Sequence, residues 1–340
     1  LLKKIKTSRA IGFRLAHDMT KIVPGEYKGA RFQTGHIVTE EDIPELLSMG
    51  KEHVYILDGE DKNFIHEEEA ARRLAKAISG KNTEFTSPRE GRINIKATTA
   101  GILKVDTALL YEINSIDGIS VSTLHTNSQV DAGTPVGGTK IIPLYIEDET
   151  LNRVEKLTQS KGYVLNVKPF CLKKVGVIVT GNEVYHGLIQ DKFVDVIRSK
   201  VEPLGATIFS STIVPDDEDR IAMAIKEIKE KGCELIVVCG GLSVDPDDVT
   251  VEGVKSSGAR IIKYGSPVMP GAMVLFAVLD DTPIFGAPAG GLFHTTGTDV
   301  FIPRLMAGEL INREEIAAYA HGGLCLNCHP CHYPVCPFGK

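Results

Sequence analysis

The sequence predicts an α/β protein built on a three-layer α/β/α domain with a mostly parallel sheet, preceded by an N-terminal α+β and β-rich accessory region. Three observations carry this expectation. From Lys174 to Thr250 the chain reads strand, turn, helix three times over. The first and third strands, Val175-Gly-Val-Ile-Val179 and Leu235 to Cys239, are near-continuous apolar runs, as expected of strands covered on both faces. Each strand then meets a turn of small, acidic or glycine-rich residues: Thr180-Gly-Asn-Glu183, Pro215-Asp-Asp217 and Gly240-Gly-Leu-Ser243.

The remaining elements of this domain follow in order. Leu188, Ile189, Phe193, Ile197, Val201 and Leu204 recur at helical spacing, and Pro203-Leu-Gly205 closes that helix. Thr207 to Val214 is the second strand, and Ile221, Ile225 and Ile228 mark one face of a helix over 219–231. Ala272 to Leu279 reads as another buried strand, Asp280-Asp281 as a turn and Pro283 to Ala287 as the last strand. The glycine-rich run Gly286 to Gly291 then opens a helix around 292–306.

Open α/β sheets bind ligands at the carboxyl ends of their strands, where all these turns gather. Gly240-Gly241 permits close backbone approach, and the N–H groups that follow, through Ser243, offer an anion site. Glu183, Asp216, Asp217, Asp247 and Asp248 place up to five carboxylates at the same edge. Such a cluster repels a phosphate unless a divalent cation lies between, and Mg²⁺ is typically held by one or two carboxylates plus phosphate oxygens. A phosphorylated ligand with a metal bridge is therefore expected. For Asp216 and Asp217, capping the following helix is an equal alternative.

Thr180-Gly-Asn-Glu183, Ile213-Val-Pro-Asp-Asp217, Gly240-Gly-Leu-Ser-Val-Asp-Pro-Asp-Asp248 and Met269-Pro-Gly271 stand in the order and spacing of a known family. Residues 172–310 resemble the molybdopterin-binding domain shared by the molybdopterin adenylyltransferases and molybdenum insertases. The resemblance implies that molybdopterin or its adenylylated form binds at the carboxyl edge. Asp216 and Asp248 fall on acidic positions similar to those needed for catalysis. Thr180, Gly181, Asn182, Glu183, Gly240, Gly241, Leu242, Ser243, Asp247, Pro270 and Gly271 are the implied binding residues, joined by Ala287, Pro288, Ala289 and Gly290 of the late glycine-rich turn. Thr295, Thr296 and Thr298 are small polar groups near that turn. The sequence departs from the pattern in having Asn182 where Asp is common, and Gly286-Ala-Pro-Ala-Gly-Gly291 in place of the insertase turn.

The preceding region carries less chemistry. Leu15-Ala-His-Asp-Met-Thr20 is similar to an early segment of insertases, with His17 and Asp18 read as structural because neighbours on a strand face opposite ways. Pro24-Gly25 is a turn, and Lys21, Lys28 and Arg31 face solvent or an anion. Thr39 caps a short helix ended by Gly50, and His53 to Leu57 is a strand. A helix from Glu67 to Ser79 has three acids at its start and Arg72, Arg73 and Lys76 on its solvated face. Ile93 to Ala97, Gly101 to Val105, Ser120 to Leu124 and Thr139 to Ile146 are candidate strands, with a turn at Asp131-Ala-Gly-Thr-Pro135 and a linking helix near 149–159. Asn114-Ser-Ile-Asp-Gly118 has a superficial likeness to an insertase motif but stands in the wrong order. The expected divisions are 1–168, 169–312 and 313–340.

The final stretch is distinct. Cys325, Cys328, Cys331 and Cys336 fall within twelve positions, a spacing close to that of bacterial ferredoxins apart from the last interval. An iron–sulfur cluster, a Zn²⁺ site aided by His329 and His332, or an unliganded tail are the alternatives. Cys239, at a strand end, is read as buried packing.

The 340 residues, 43% apolar and 24% charged with net charge −6, lack a basic stripe for nucleic acid and any run of eighteen apolar residues. A cytoplasmic protein is expected, and the missing initiator Met suggests an absent start. Two function classes follow. One is an insertase-like enzyme using Mg²⁺ and molybdate and releasing AMP, with the adenylyltransferase step as a variant. The other is a carrier or sensor of the cofactor that docks to a client molybdoenzyme. A homo-oligomer is implied by the resemblance.

Overall fold

The computed structural model describes residues 2–23, 26–57, 63–291 and 295–340. The Pro24-Gly25 turn and the first residues of the expected 292–306 helix lie outside them. Six strands form the principal sheet: β1 (Lys174–Thr180), β2 (Thr207–Val214), β3 (Leu235–Cys239), β4 (Arg260–Tyr264), β5 (Leu275–Leu279) and β6 (Thr282–Ala287). Their spatial order is β2-β1-β3-β6-β5-β4. Neighbours β2, β1, β3 and β6 pair parallel, whereas β5 is antiparallel to both β6 and β4. The fold is therefore mixed α/β with a largely parallel sheet. Edge position explains β2, whose residues alternate in exposure, while central β1 and β3 are covered on both faces.

Helices α1 (Phe193–Val201) and α4 (Gly297–Met306) cover one face of the sheet, where Val177, Val237 and Phe285 meet Ile197, Val201 and Phe301. On the other face, Ile178, Ile236 and Ile284 pack with Ile221, Ile225 and Val254 of α2 (Glu218–Glu230) and α3 (Thr250–Ser256). This is the expected three-layer arrangement. Two separate apolar clusters lie N-terminal to it, one drawn from residues 10–56 and one from residues 70–167. Among the described residues no helix is long and apolar enough to cross a membrane.

Several expectations need correction. The helix read through Leu188 to Leu204 begins only at Phe193, and Leu188 and Ile189 are exposed because Gly187, at positive φ, and the residues after it leave the helical path. Strand β4 was not anticipated, and neither was the helix Thr107–Asn114, which Asp106 caps in a stretch read as β-rich. The strand expected over 139–146 is two strands, Pro135–Ile141 and Tyr145–Glu147. Thr39 does not cap its helix, which starts at Asp42; instead Thr39 donates its N–H and hydroxyl to the Asp42 carboxylate. Arg73 is not on a solvated face: it reaches Glu155 at 2.8 Å and Asp148 at 2.5 Å, tying Glu67–Ile78 to Asp148–Lys161.

The last described helix, α5 (Arg313–Ala318), is joined to α4 through a buried cation. Arg304, 1% exposed, donates to Glu309 at 2.6 Å, to Glu315 and to the Tyr319 hydroxyl at 3.5 Å. Glu309 also receives Lys104 at 3.1 Å and Lys168 at 3.4 Å, from two paired strands of the preceding region. Burial works to raise the Glu309 pKa, but Arg304 and Lys104 outweigh it and hold the carboxyl below its usual value. A depressed folded-state pKa contributes stability above the unfolded value that is lost as pH falls through the folded one. Arg304→Met should cost about 3–5 kcal/mol, because it strips Glu309 of its buried partner. Urea midpoints across pH check this: the variant should lose most stability at neutral pH, and an unchanged midpoint there would show the pair to be unimportant.

Candidate active site at the carboxyl edge of the sheet

Parallel pairing brings the predicted turns together. Thr180 pairs with Val214, Val179 with Cys239, and Cys239 with Ala287, so β1, β2, β3 and β6 end at one level. Because β5 runs the other way, its first residue, Leu275, pairs with Gly286. The Met269-Pro270-Gly271 loop therefore enters at the same edge.

The glycine turn is fixed by close backbone approach. A Cβ on Gly240, at φ +100°, would lie 2.5 Å from the Thr180 carbonyl oxygen, and one on Gly241, at φ +58°, 2.3 Å from Thr250 Oγ1. Thr180 Oγ1 donates to the Cys239 carbonyl at 3.3 Å and lies 3.2 Å from Thr250 Oγ1, which donates to the Gly240 carbonyl at 3.1 Å. Thr180 is thus buried and supports the turn with its hydroxyl, rather than facing the crevice as expected. Leu242 is also buried: it packs under Gly286, and its carbonyl accepts from Tyr264 at 2.7 Å. Thr250 and Tyr264 were missed in the sequence, where a helix-start Thr and a lone strand Tyr carry no distinguishing pattern. Ala287 is buried and Cys239 fully so, and burial pushes the Cys239 thiol well above its usual pKa.

Two of the N–H groups expected to cradle an anion are taken. Gly240 donates to the Ala287 carbonyl at 3.2 Å, and Ser243 donates to Asp248 Oδ2 at 2.6 Å. Ser243 therefore orients a carboxylate. The remaining acids divide by role. Asp217 caps α2 by accepting from the Arg220 N–H at 2.9 Å. Asp216 turns the other way, where Asn182 donates its N–H to Oδ2 at 2.9 Å and accepts the Asp216 N–H on its side-chain oxygen at 3.3 Å. The other Asp216 oxygen, Oδ1, is buried without a partner. Burial raises the Asp216 pKa above its usual value despite the Asn182 N–H, and the charges of Asp248, Asp247 and Glu183 push it the same way. Glu183 and Asp247 are exposed.

On the far side of the crevice, Thr296 caps α4 in a reciprocal pair with Asp299. A Cβ on Gly271, at φ +92°, would stand 2.8 Å from Thr296 Cβ, and Gly297 donates its N–H to Pro270 at 3.3 Å. The Met269–Gly271 turn therefore lies against the start of α4. Thr298 is buried, so of the three threonines only Thr295 faces outward. Pro288 is half-buried, and Ala289 and Gly290 are exposed at the mouth of the edge.

The four tail cysteines are free thiols around one small cavity. Among the described residues no group of three or more His, Cys, Asp or Glu is set to hold a metal ion, so the closed cage expected from their spacing is not formed here. His17 and Asp18, expected on opposite faces, instead line a common cavity of about 410 Å³ with His66 and Glu67.

Residues 176–307 match the family model described as a probable molybdopterin binding domain. The sheet domain belongs to the molybdopterin-binding domain family. Residues 4–58 match a second model, a domain of unknown function. A CinA-like protein of Petrotoga mobilis is 36% identical over 81 residues, which are 24% of this chain and 20% of that relative. The chain thus spans about a fifth of the length of the curated relatives it matches. Among solved structures, CinA of Thermoplasma acidophilum, of unknown function, is 22% identical over 35% of this chain and 89% of its own, with a TM-score of 0.31. The tungsten cofactor synthesizing protein MoaB from Pyrococcus furiosus is 19% identical over 36% and 86%, with a TM-score of 0.29.

An unpaired, charge-crowded carboxylate destabilises the fold that holds it. Because the Asp216 pKa is raised in the folded state, its ionised form opposes folding above that pKa, and the penalty disappears as pH falls below the unfolded value. Asp216→Asn should raise Tm by about 1–3 °C at pH 7, a small gain since solvent screens a half-buried group. Calorimetry from pH 7 down to 3 checks this: the gap between the proteins should close with acid, and a variant less stable at pH 7 would contradict the assignment.

Proposed function

We propose that the carboxyl-edge crevice binds molybdopterin or its adenylylated form, and that the chain acts as an insertase-like enzyme. In this reaction hydrolysis of the adenylyl anhydride releases AMP while molybdate passes to the dithiolene. The observation that carries this reading is the unpartnered Asp216 Oδ1 among like charges at the edge where the glycine turn lies. Such an oxygen suits a cation, and two carboxylates with phosphate oxygens are a sufficient set for Mg²⁺. Asp216 and Asp248 would hold that ion, which supplies neutralisation of phosphate charge. Asn182 fixes the Asp216 carboxylate from one side, and the Ser243 N–H fixes Asp248 from the other. Glu183, exposed at the same edge, would orient water. Gly181, Gly241, Pro270 and Gly271, with the Pro288–Gly290 turn, would line the crevice around a flat pterin.

A carrier or sensor reading is favoured by one feature: the Gly240 and Ser243 N–H groups are already spent within the protein, leaving less to stabilise charge during turnover. In either reading the chain works as a homo-oligomer that serves a client molybdoenzyme. The measurement is AMP release from adenylylated molybdopterin with Mg²⁺ and molybdate. The unaltered chain should release AMP in a molybdate-dependent way, and Asp248→Asn should lower the rate on the order of 100-fold. Binding without release assigns the carrier role, and no binding at all rejects the site.

A further inference from the structure

The C-terminal segment is docked on the crevice wall beside Cys325 and Cys331. Leu324 bridges Met269, with Met269 donating its N–H to Gly323 at 2.7 Å and Cys325 donating to the Met269 carbonyl at 2.8 Å. Cys331 Sγ lies 3.3 Å from Thr295 Oγ1, one residue before the cap of α4. Tyr333 donates its hydroxyl to the Asp299 carbonyl at 3.0 Å, and Phe338 is buried. Cys325, Cys328, Cys331 and Cys336, with His332, line a single small cavity together with Leu324, Tyr333 and Phe338.

We propose that these four cysteines take up one thiophilic divalent ion, zinc or ferrous iron, and that this ion clamps the tail against the Met269–Gly271 turn and the start of α4. Four sulfurs from one short segment bordering one small cavity are the donor set of a tetrahedral thiolate site. Four thiolates complete the tetrahedral set that one such ion takes, so a single ion satisfies the site. The thiols do not yet converge, so uptake draws them inward towards metal–sulfur contacts of about 2.3 Å, with loss of the thiol protons to solvent. Tightening the tail also tightens what it leans on. Met269 is held by Gly323 and Cys325, and the turn it begins is held against Thr296 and Gly297, so the ion braces the wall opposite Asp216. That this wall borders a pterin rests on the function proposed above; the metal site itself does not.

The experiment uses the full chain, reduced and metal-free, titrated anaerobically with Co²⁺ and separately with Zn²⁺. Co²⁺ should bind one per chain with thiolate charge-transfer and tetrahedral d–d absorption, and Zn²⁺ should displace it. Cys328→Ser/Cys331→Ser should lose the signal, whereas Cys171→Ser, outside the tail, should keep it. Amide hydrogen exchange at Met269 and Gly297 should slow about tenfold or more on Zn²⁺ uptake in the unaltered chain only. Absent Co²⁺ absorption, retention by the double variant, or iron accompanied by acid-labile sulfide would overturn the single-ion site. Metal uptake with unchanged exchange at Met269 and Gly297 would overturn the clamp. Neither readout needs a pterin, so they separate failure here from failure of the crevice to bind its ligand.

Discussion

Four parallel strands that end at the same level are the constraint on which the rest of this molecule depends. Once β1 pairs with β2 on one side and β3 on the other, Asn182, Asp216 and the Gly240–Asp248 loop have no choice but to converge. The antiparallel β5 adds the Met269–Gly271 turn, because reversing one strand sends its incoming loop to the edge where its neighbours finish. Convergence brings like charges together. It also demands that two backbones pass so closely at Gly240 and Thr180 that only glycine fits.

The crevice is assembled against the interests of stability. Asp216 keeps a buried oxygen unpaired amid other acids, a condition that natural proteins retain where a ligand or ion completes the set. The surrounding groups work in the opposite sense. Thr180 and Thr250 satisfy each other and two carbonyls beneath the glycine turn, and Asn182 pairs with Asp216 through both backbone and side chain. The threonines fix the turn, and Asn182 orients the Asp216 carboxylate before any ligand arrives.

Rigidity at the crevice extends outward through α4. Its first turn meets Gly271 and the cysteine tail, and its last turn carries Arg304 into a buried cluster with Glu309, Glu315 and Tyr319. Glu309 in turn accepts lysines from the preceding region. A single ten-residue helix thus touches the candidate site at one end and the junction with the rest of the chain at the other.

Much of the fold was legible in the sequence, because apolar runs and the turns after them are local signals: β1, β2, β3 and α2 lie close to where the pattern puts them. The four motifs likewise marked the residues that meet at the sheet edge. What the sequence could not express was direction and partnership. Asp216 and Asp217 are adjacent and chemically alike, yet backbone geometry at the start of α2 sends Asp217 to the Arg220 N–H and Asp216 to Asn182. Ser243 looked like an anion donor until the fold of its loop brought Asp248 back onto its N–H. Arg73 read as a surface charge, and Glu155 and Asp148 from a distant helix made it a tie between elements. By itself the sequence determined the central parallel strands, the helix over Glu218–Glu230 and the turns that meet at the sheet edge, since these follow from short-range periodicity and backbone preference. Only the tertiary structure decided which carboxylate is paired and which left bare, because a charge takes its partner from whatever the fold brings within hydrogen-bonding distance.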